Sequence, residues 1–151
     1  MLHLFKDTDN STCQAIIRNF HIEGIHTIAS LLDRYALILA NRCTADISNL
    51  TISNVSLGAD LSLGTNMLFY SLFADMLLSD ITILDSGTSG CAIKVQFGTL
   101  YLKDFRMESF SSASGFYFFS GFSTVYIQNA HFNRGISHAK DEGIFLYKSS
   151  Y

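Results

Sequence analysis

The chain has 151 residues, which is enough for one domain with its own hydrophobic core. Hydrophobic residues make up 48% of the chain and charged residues 15%, a composition that excludes a disordered or highly charged segment. The net charge of -3 gives no electrostatic basis for binding nucleic acid.

The residue content favours strands. There are 13 Phe and 7 Tyr but no Pro, and Pro is the residue that removes donors from a sheet. No apolar run approaches the ~20 residues of a membrane-spanning helix. The first ten residues, MLHLFKDTDN, lack the basic start and long apolar stretch of a signal peptide. We therefore expect an all-β protein without a transmembrane segment.

One strand pattern recurs along the chain: apolar-x-apolar-x-Asn/Asp-apolar-x-apolar. It occurs as AIIRNFHI (15–22), ADISNLTI (45–52), MLLSDITI (76–83), LYLKDFRM (100–107) and VYIQNAHF (125–132). By subtraction, its central residues are 30, 31, 24 and 25 positions apart. These central residues are Asn19, Asn49, Asp80, Asp104 and Asn129.

The central Asn or Asp of each repeat is interpreted as a corner. The apolar residues two before it and one after it must face the same core, which strict strand alternation forbids. Asn and Asp are the non-glycine residues that best tolerate the left-handed backbone of a sharp turn. In stacked coils their side chains can also bond one another along the axis. The pattern therefore predicts an Asn/Asp corner ladder.

A second apolar run precedes each of the last four corners at a fixed distance. It opens 14 residues earlier, and a fifth run opens at Gly143, whereas the connection from each corner to the next run varies in length. A fixed rung joined by variable loops is typical of a solenoid. We expect residues 1–151 to form one domain of about five rungs, either a segment of a longer solenoid or a unit that stacks end to end. The runs open at Tyr35, Asn66, Gly90, Gly115 and Gly143.

These repeats resemble the right-handed parallel β-helix of the pectate-lyase-like superfamily. Their form is most similar to the repeats of microbial surface and adhesin-like proteins, over residues 13–147. The resemblance implies a right-handed coil and an extracellular or cell-surface location. It leaves two functions open, a non-catalytic structural or adhesive module and a polysaccharide-binding or polysaccharide-degrading protein. An antiparallel sandwich is the structural alternative, but it gives no reason for a repeating corner residue.

Two cysteines occupy equivalent places in adjacent rungs. Cys13 and Cys43 each lie six residues before a corner Asn, and rungs stack at ~4.8 Å, within the Cα separation that a disulfide tolerates. The pair is therefore either a disulfide or two buried thiols. Cys91 is expected to face inward and to be inert. The column of Cys13 continues with small residues, namely Ala74, Gly98 and Ser123.

No catalytic, cofactor or metal site is predicted. Enzymes of the superfamily that the repeats resemble gather several carboxylates on one outer face, and the nearest candidate here is the loop HAKDEG (138–143), with His138, Lys140, Asp141 and Glu142. It lacks the paired Asp-Asp and Gly-His-Gly elements of galacturonan hydrolases, and without a second carboxylate at a fitting distance it has no acid–base pair. The five histidines show no metal-ligand spacing. We interpret the loop as a solvated charged segment.

Two features suggest contacts with partners, namely neighbouring coils, further copies of the chain, or polysaccharide. Positions expected to face outward in the second run form an apolar stripe, which either marks an interface or is covered by the long loops. Asn10 and Asn54 begin glycosylation sequons in segments predicted to be loops, whereas the sequon at Asn49 coincides with the corner ladder. The stripe comprises Leu37, Leu39, Leu68, Tyr70, Ala92, Tyr117, Phe119, Phe145 and Tyr147, with Lys94 as its one interruption.

Overall fold

The computed structural model describes residues 2–5, 13–27, 36–58, 66–112, 116–137 and 143–147. Every regular element in these residues is a β-strand, and the strands are numbered in chain order. They are β1 (Leu2–Phe5), β2 (Gln14–Glu23), β3 (His26–Thr27), β4 (Ala36–Asn41), β5 (Thr44–Ser53), β6 (Ser56–Leu57), β7 (Met67–Leu72), β8 (Met76–Leu84), β9 (Gly87–Thr88), β10 (Ile93–Gln96), β11 (Thr99–Glu108), β12 (Ser111–Ser112), β13 (Phe116–Gly121), β14 (Thr124–Asn133), β15 (Ile136–Ser137) and β16 (Gly143–Tyr147).

The strands form three sheets in which every third strand along the chain is paired. The first sheet has the order β1-β4-β7-β10-β13-β16, the second β14-β11-β8-β5-β2 and the third β15-β12-β9-β6-β3. All the pairings are parallel. The predicted all-β architecture of parallel strands is confirmed, and it is consistent with a β-solenoid.

The core follows the repeat pattern. Around Asn49, the apolar residues Ile47, Leu50 and Ile52 are each at most 1% exposed. The polar neighbours Ser48 and Thr51 on the same strand are half-buried. The strand therefore points two residues before its corner and one residue after it into the same interior. Burial of these repeated apolar columns is the main favourable contribution to the fold.

Three corners with left-handed backbone recur at fixed offsets in the coil. The predicted corner residues Asn19, Asn49, Asp80, Asp104 and Asn129 have φ of 58°, 51°, 54°, 50° and 55°. A second corner lies seven residues earlier, at Arg42, Phe73, Phe97 and Phe122, with φ of 55°, 50°, 56° and 55°. A third lies five residues later, at Gly24, Asn54, Asp85, Ser109 and Arg134, with φ of 69°, 51°, 45°, 53° and 53°.

The predicted outward stripe is wrong at Leu37, Leu68 and Ala92. These residues are 5%, 0% and 1% exposed and lie in the main core. The cause is a register irregularity at the start of the first-sheet strands, where the carbonyl of Ala92 accepts hydrogen bonds from the backbone N–H groups of both Leu68 and Phe69. This irregularity reverses the alternation, so that Leu37 and the next residue, Ile38, both reach the core.

The outer side of the first sheet is also covered at Tyr70 and Leu39. Tyr70 is only 8% exposed and packs in a second apolar cluster, against which Leu39 is half-buried. Cys91 is buried in this second cluster rather than in the main core. The stripe is therefore not an open interface at Leu39 or Tyr70. The side chains of Tyr117, Phe119, Phe145 and Tyr147 lie outside those that the structure describes.

Candidate interaction surfaces

The corner ladder has a direction. The side-chain amide of Asn49 donates from Nδ2 to Oδ1 of Asn19 at 2.8 Å, and that of Asn129 donates from Nδ2 to Oδ1 of Asp104 at 2.9 Å. In both pairs the later coil donates to the earlier coil. A coil placed before Asn19 would therefore receive a donor, and a coil placed after Asn129 would meet an acceptor.

The middle of the ladder is different in chemistry. Asp80 lies between Asn49 and Asp104 in the stacked strands. An ionised carboxylate has no N–H to donate, so Asp80 cannot continue the donor pattern toward Asn49. It also places one negative charge next to another at the spacing of one strand, ~4.8 Å. The ladder is therefore better bonded in its outer pairs than in its centre.

Cys13 and Cys43 form a disulfide with their Cα atoms 4.7 Å apart. The bond ties the start of β2 to the start of β5. A Cβ on Gly98, in the same column, would collide with the carbonyl oxygen of Ala74, so this position requires glycine. Structural disulfides persist mainly in oxidising compartments.

Exposed aromatic rings stack along the second corner, a feature that the sequence interpretation missed. The ring centroids of Phe73 and Phe97 are 4.8 Å apart with planes 11° from parallel, and those of Phe97 and Phe122 are 5.3 Å apart at 7°. The guanidinium of Arg42 lies 6.0 Å from the centroid of Phe73. The stacked rings use their faces on one another and present their edges outward. The signal for this column was its constant offset of seven residues before each ladder corner.

The outer face of the second sheet carries a second aromatic pair beside positive charge. The rings of Tyr101 and Tyr126 are 4.8 Å apart and 9° from parallel. Both residues are exposed, as are Lys103 and Arg106 on the same strand as Tyr101. Residues two positions apart on a strand share a face, so Tyr101 and Lys103 lie side by side. Arg106 falls on the other side of the ladder corner, in the exposed part of the same strand.

One carboxyl group on this sheet has a shifted pKa. Arg106 donates from Nε and Nη2 to Oε1 of Glu108, at 3.1 Å and 2.7 Å. This hydrogen bonding is the main cause that holds the pKa of Glu108 below its ordinary value. Desolvation opposes the shift, and the positive charges of Arg106, His131 and Arg134 support it.

The N-terminal end of the coil exposes core positions. Phe20 is 57% exposed, whereas Phe105, in the same column of the second sheet, is 1% exposed. Beside Phe20 lies an apolar cleft of about 700 Å³. Its lining includes Leu2, Ile17, Phe20, Ile22, Ile25 and Leu50.

The other end shows the same feature. Ile127 on β14 is 47% exposed, although its column partners Leu102 and Leu78 are 2% and 0% exposed. Among the described strands, β14 pairs only with β11, so its outer edge carries unpaired backbone groups. Such an edge is a template for another strand. Both ends of the second sheet therefore combine an open ladder with exposed core residues.

The remaining predicted sites add no further interaction surface among the described residues. Asn54 is exposed at the third corner, so its sequon is accessible. Asn10 and the loop with His138, Lys140, Asp141 and Glu142 lie outside the described residues. Within the described ranges, no cluster of His, Cys, Asp and Glu could hold a metal ion, and no helix is long and apolar enough to cross a bilayer.

Comparison with family models, curated proteins and solved structures found no match to this chain. The resemblance to the pectate-lyase-like superfamily therefore rests on the repeat pattern alone. The surfaces described above are the features that bear on function, and the two ends of the coil are the most distinctive of them.

Proposed function

We propose that this chain is a non-catalytic structural module of an extracellular or surface assembly, built as a single right-handed β-helix of about five rungs whose ends accept further coils. The observation that supports this proposal is the exposure of core residues at both ends of the second sheet. Phe20 and Ile127 are 57% and 47% exposed, whereas the central residues of their columns are at most 2% exposed. A further coil would bury both and pair the open strand edges.

The ladder supports the same function. Because the later coil donates to the earlier one in both bonded pairs, Asn19 and Asn129 present complementary groups at opposite ends. A coil added at either end would extend the chain of hydrogen bonds in the same sense. The disulfide at Cys13 and the accessible sequon at Asn54 support an exterior location, since both modifications belong to secreted proteins.

Electron microscopy of the purified, oxidised protein tests this function. We expect particles in which coils continue across subunit junctions, with the ~4.8 Å strand spacing along the long axis. Ile127→Lys should prevent assembly, because it places a charge in the junction. The matched control is Leu77→Lys, on the outer face of the central strand β8, where the side chain is already 36% exposed. Discrete monomers at every concentration, with a folded chain, would rule the function out.

A second candidate is binding of an acidic polysaccharide on the outer face of the second sheet. It is favoured by the Tyr101–Tyr126 pair beside Lys103, which together offer hydroxyl groups and a positive charge. Calorimetric titration with polygalacturonate tests it. Lys103→Ala should weaken binding severalfold, whereas Ser48→Ala, on the same column of β5, should not. Equal affinities for both variants would exclude this surface.

A further inference from the structure

Among the described strands, the first sheet contains one more than each of the other two. It has six strands, with β1 and β16 at its edges, whereas the second and third sheets have five each. The two edge strands occupy the same position in the coil, because each pairs in the same register with its neighbour. The shared column is Leu2, Ile38, Phe69, Ile93, Phe118 and Ile144.

This extra strand creates a conflict when two copies stack. If β2 of a second copy paired with β14 of the first, β1 of the second copy would fall where β16 of the first copy lies. Strands in a sheet are ~4.8 Å apart, so one position cannot hold both strands. Two unchanged copies therefore cannot pair β2 with β14, and one of the two first-sheet strands must leave for that pairing to form.

We infer that two copies join head to tail by strand exchange, an inference that rests on the proposed function. At the junction, β16 of one copy pairs with β4 of the next copy in place of that copy's own β1, while β14 pairs with β2 and β15 with β3. β16 has five residues and β1 has four, so β16 offers the longer pairing. The Cys13–Cys43 disulfide keeps β2 attached to β5 when β1 leaves.

The residues that meet in this junction are complementary in size. Phe20, one of the two phenylalanines of its column, would lie on Ala130, the smallest residue of that column; in the single chain Phe20 is exposed and Ala130 is half-buried. The extended register gives the pairs Ile17 with Ile127, Asn19 with Asn129, Phe20 with Ala130 and Ile22 with Phe132.

The junction is also compatible in charge and hydrogen bonding. The amide of Asn19 would donate to the side-chain oxygen of Asn129, in the direction seen inside the coil. By the same register, Arg18 meets Gln128 and His21 meets His131, so no two Lys, Arg, Asp or Glu side chains of like charge are opposed there. Exposed Ile127 would be covered, as Leu78 and Leu102 are covered in the single chain.

A deletion cycle tests the exchange. The full chain, a variant without residues 1–8, a variant without residues 143–151 and a variant without both are compared by sedimentation velocity over a concentration series in oxidising buffer. Each single deletion removes the competition, so we expect half-assembly at a concentration about tenfold lower than for the full chain. The double deletion leaves the first sheet without a strand at the junction and should assemble less readily than either single deletion.

Three outcomes have distinct meanings when circular dichroism shows that the variants are folded. Single deletions that assemble no more readily than the full chain would overturn the exchange, and so would a double deletion that assembles as readily as the singles. In both cases, filaments of the full chain would leave the proposed function standing. If no variant assembles at any concentration, the function and the exchange both fail. Ile127→Lys added to the variant without residues 1–8 should abolish assembly, and Leu77→Lys should not.

Discussion

The central strands of the second sheet and its two edge strands carry the same residue pattern but differ in burial. Ile47 and Leu78 are 0% exposed, whereas Ile127, in the same column, is 47% exposed. The pattern, register and corner geometry are shared, so the difference comes from the number of neighbouring coils. In a stack of this kind, each coil is stabilised largely by the coils next to it. The ends are therefore the places where added contacts would stabilise the protein most.

The largest expected effect is a difference in unfolding free energy between alanine variants of two phenylalanines in one column. Phe105→Ala removes a side chain that is 1% exposed, and we expect it to lower the free energy of unfolding by about 3–5 kcal/mol. Phe20→Ala removes a side chain that is 57% exposed and should cost less than half as much. Urea unfolding of both variants at low protein concentration measures the difference. Equal losses would mean that Phe20 is already packed like a central residue and that the end is not open.

The disulfide should compensate for the missing neighbour at the N-terminal end. Replacing both Cys13 and Cys43 by Ala opens a cross-link with a sequence separation of 30 residues and should cost about 3 kcal/mol. The loss should be concentrated in β2, which has a neighbour on only one side among the described strands of the second sheet. Hydrogen exchange resolves this, since amides of β2 should lose protection before those of β8.

The control for the disulfide is Cys91→Ala, which removes a buried thiol away from the end of the coil. It should leave the protection of β2 unchanged relative to β8. A uniform loss of protection in the variant without the disulfide would instead show that the whole solenoid unfolds as one unit and that the end is not separately weak.

The sequence predicted the ladder corner but not the other two corners, for a physical reason. Left-handed backbone is more common for Asn and Asp than for other non-glycine residues, so the residue types at Asn49 and Asn129 indicate a turn. At the second corner the same backbone is adopted by Phe73 and Phe97, and bulky residues are seldom expected there. Only the constant offset of this column from the ladder could have identified it.

The prediction of an outward-facing apolar stripe was wrong for a related reason. Strict alternation was assumed through the second run, which placed Leu37 and Leu68 outside. A bulge-like irregularity depends on which backbone groups pair across strands, as at the carbonyl of Ala92, and single-chain patterns do not record that pairing. The two ends, by contrast, could be anticipated, since they follow from the repeat itself.

A smaller effect should distinguish the centre of the ladder from its outer pairs. Asp80→Asn would supply an amide donor toward Asn49 and would remove one of two adjacent negative charges. We expect the free energy of unfolding to rise by about 1 kcal/mol. The matched control is Asp85→Asn, which removes the same charge at a left-handed position of the third corner, with φ of 45°. If both variants gain equally, net charge rather than the ladder is responsible.

The smallest effect should lie on the outer face, where neither the middle nor the ends of the coil are involved. Arg106→Ala removes the hydrogen bonds to Glu108, so the pKa of Glu108 should rise toward its ordinary value in an NMR titration. The lowered pKa means that this pair adds stability at neutral pH and that its contribution disappears as the pH falls through that pKa.

Lys103→Ala should leave the titration of Glu108 unchanged, because Lys103 is not among the groups that shift its pKa. An unchanged pKa of Glu108 in the Arg106→Ala variant would show that His131 and Arg134, rather than Arg106, keep this pKa low. Because the pair is exposed, the effect on unfolding should be far smaller than that of any change inside the columns.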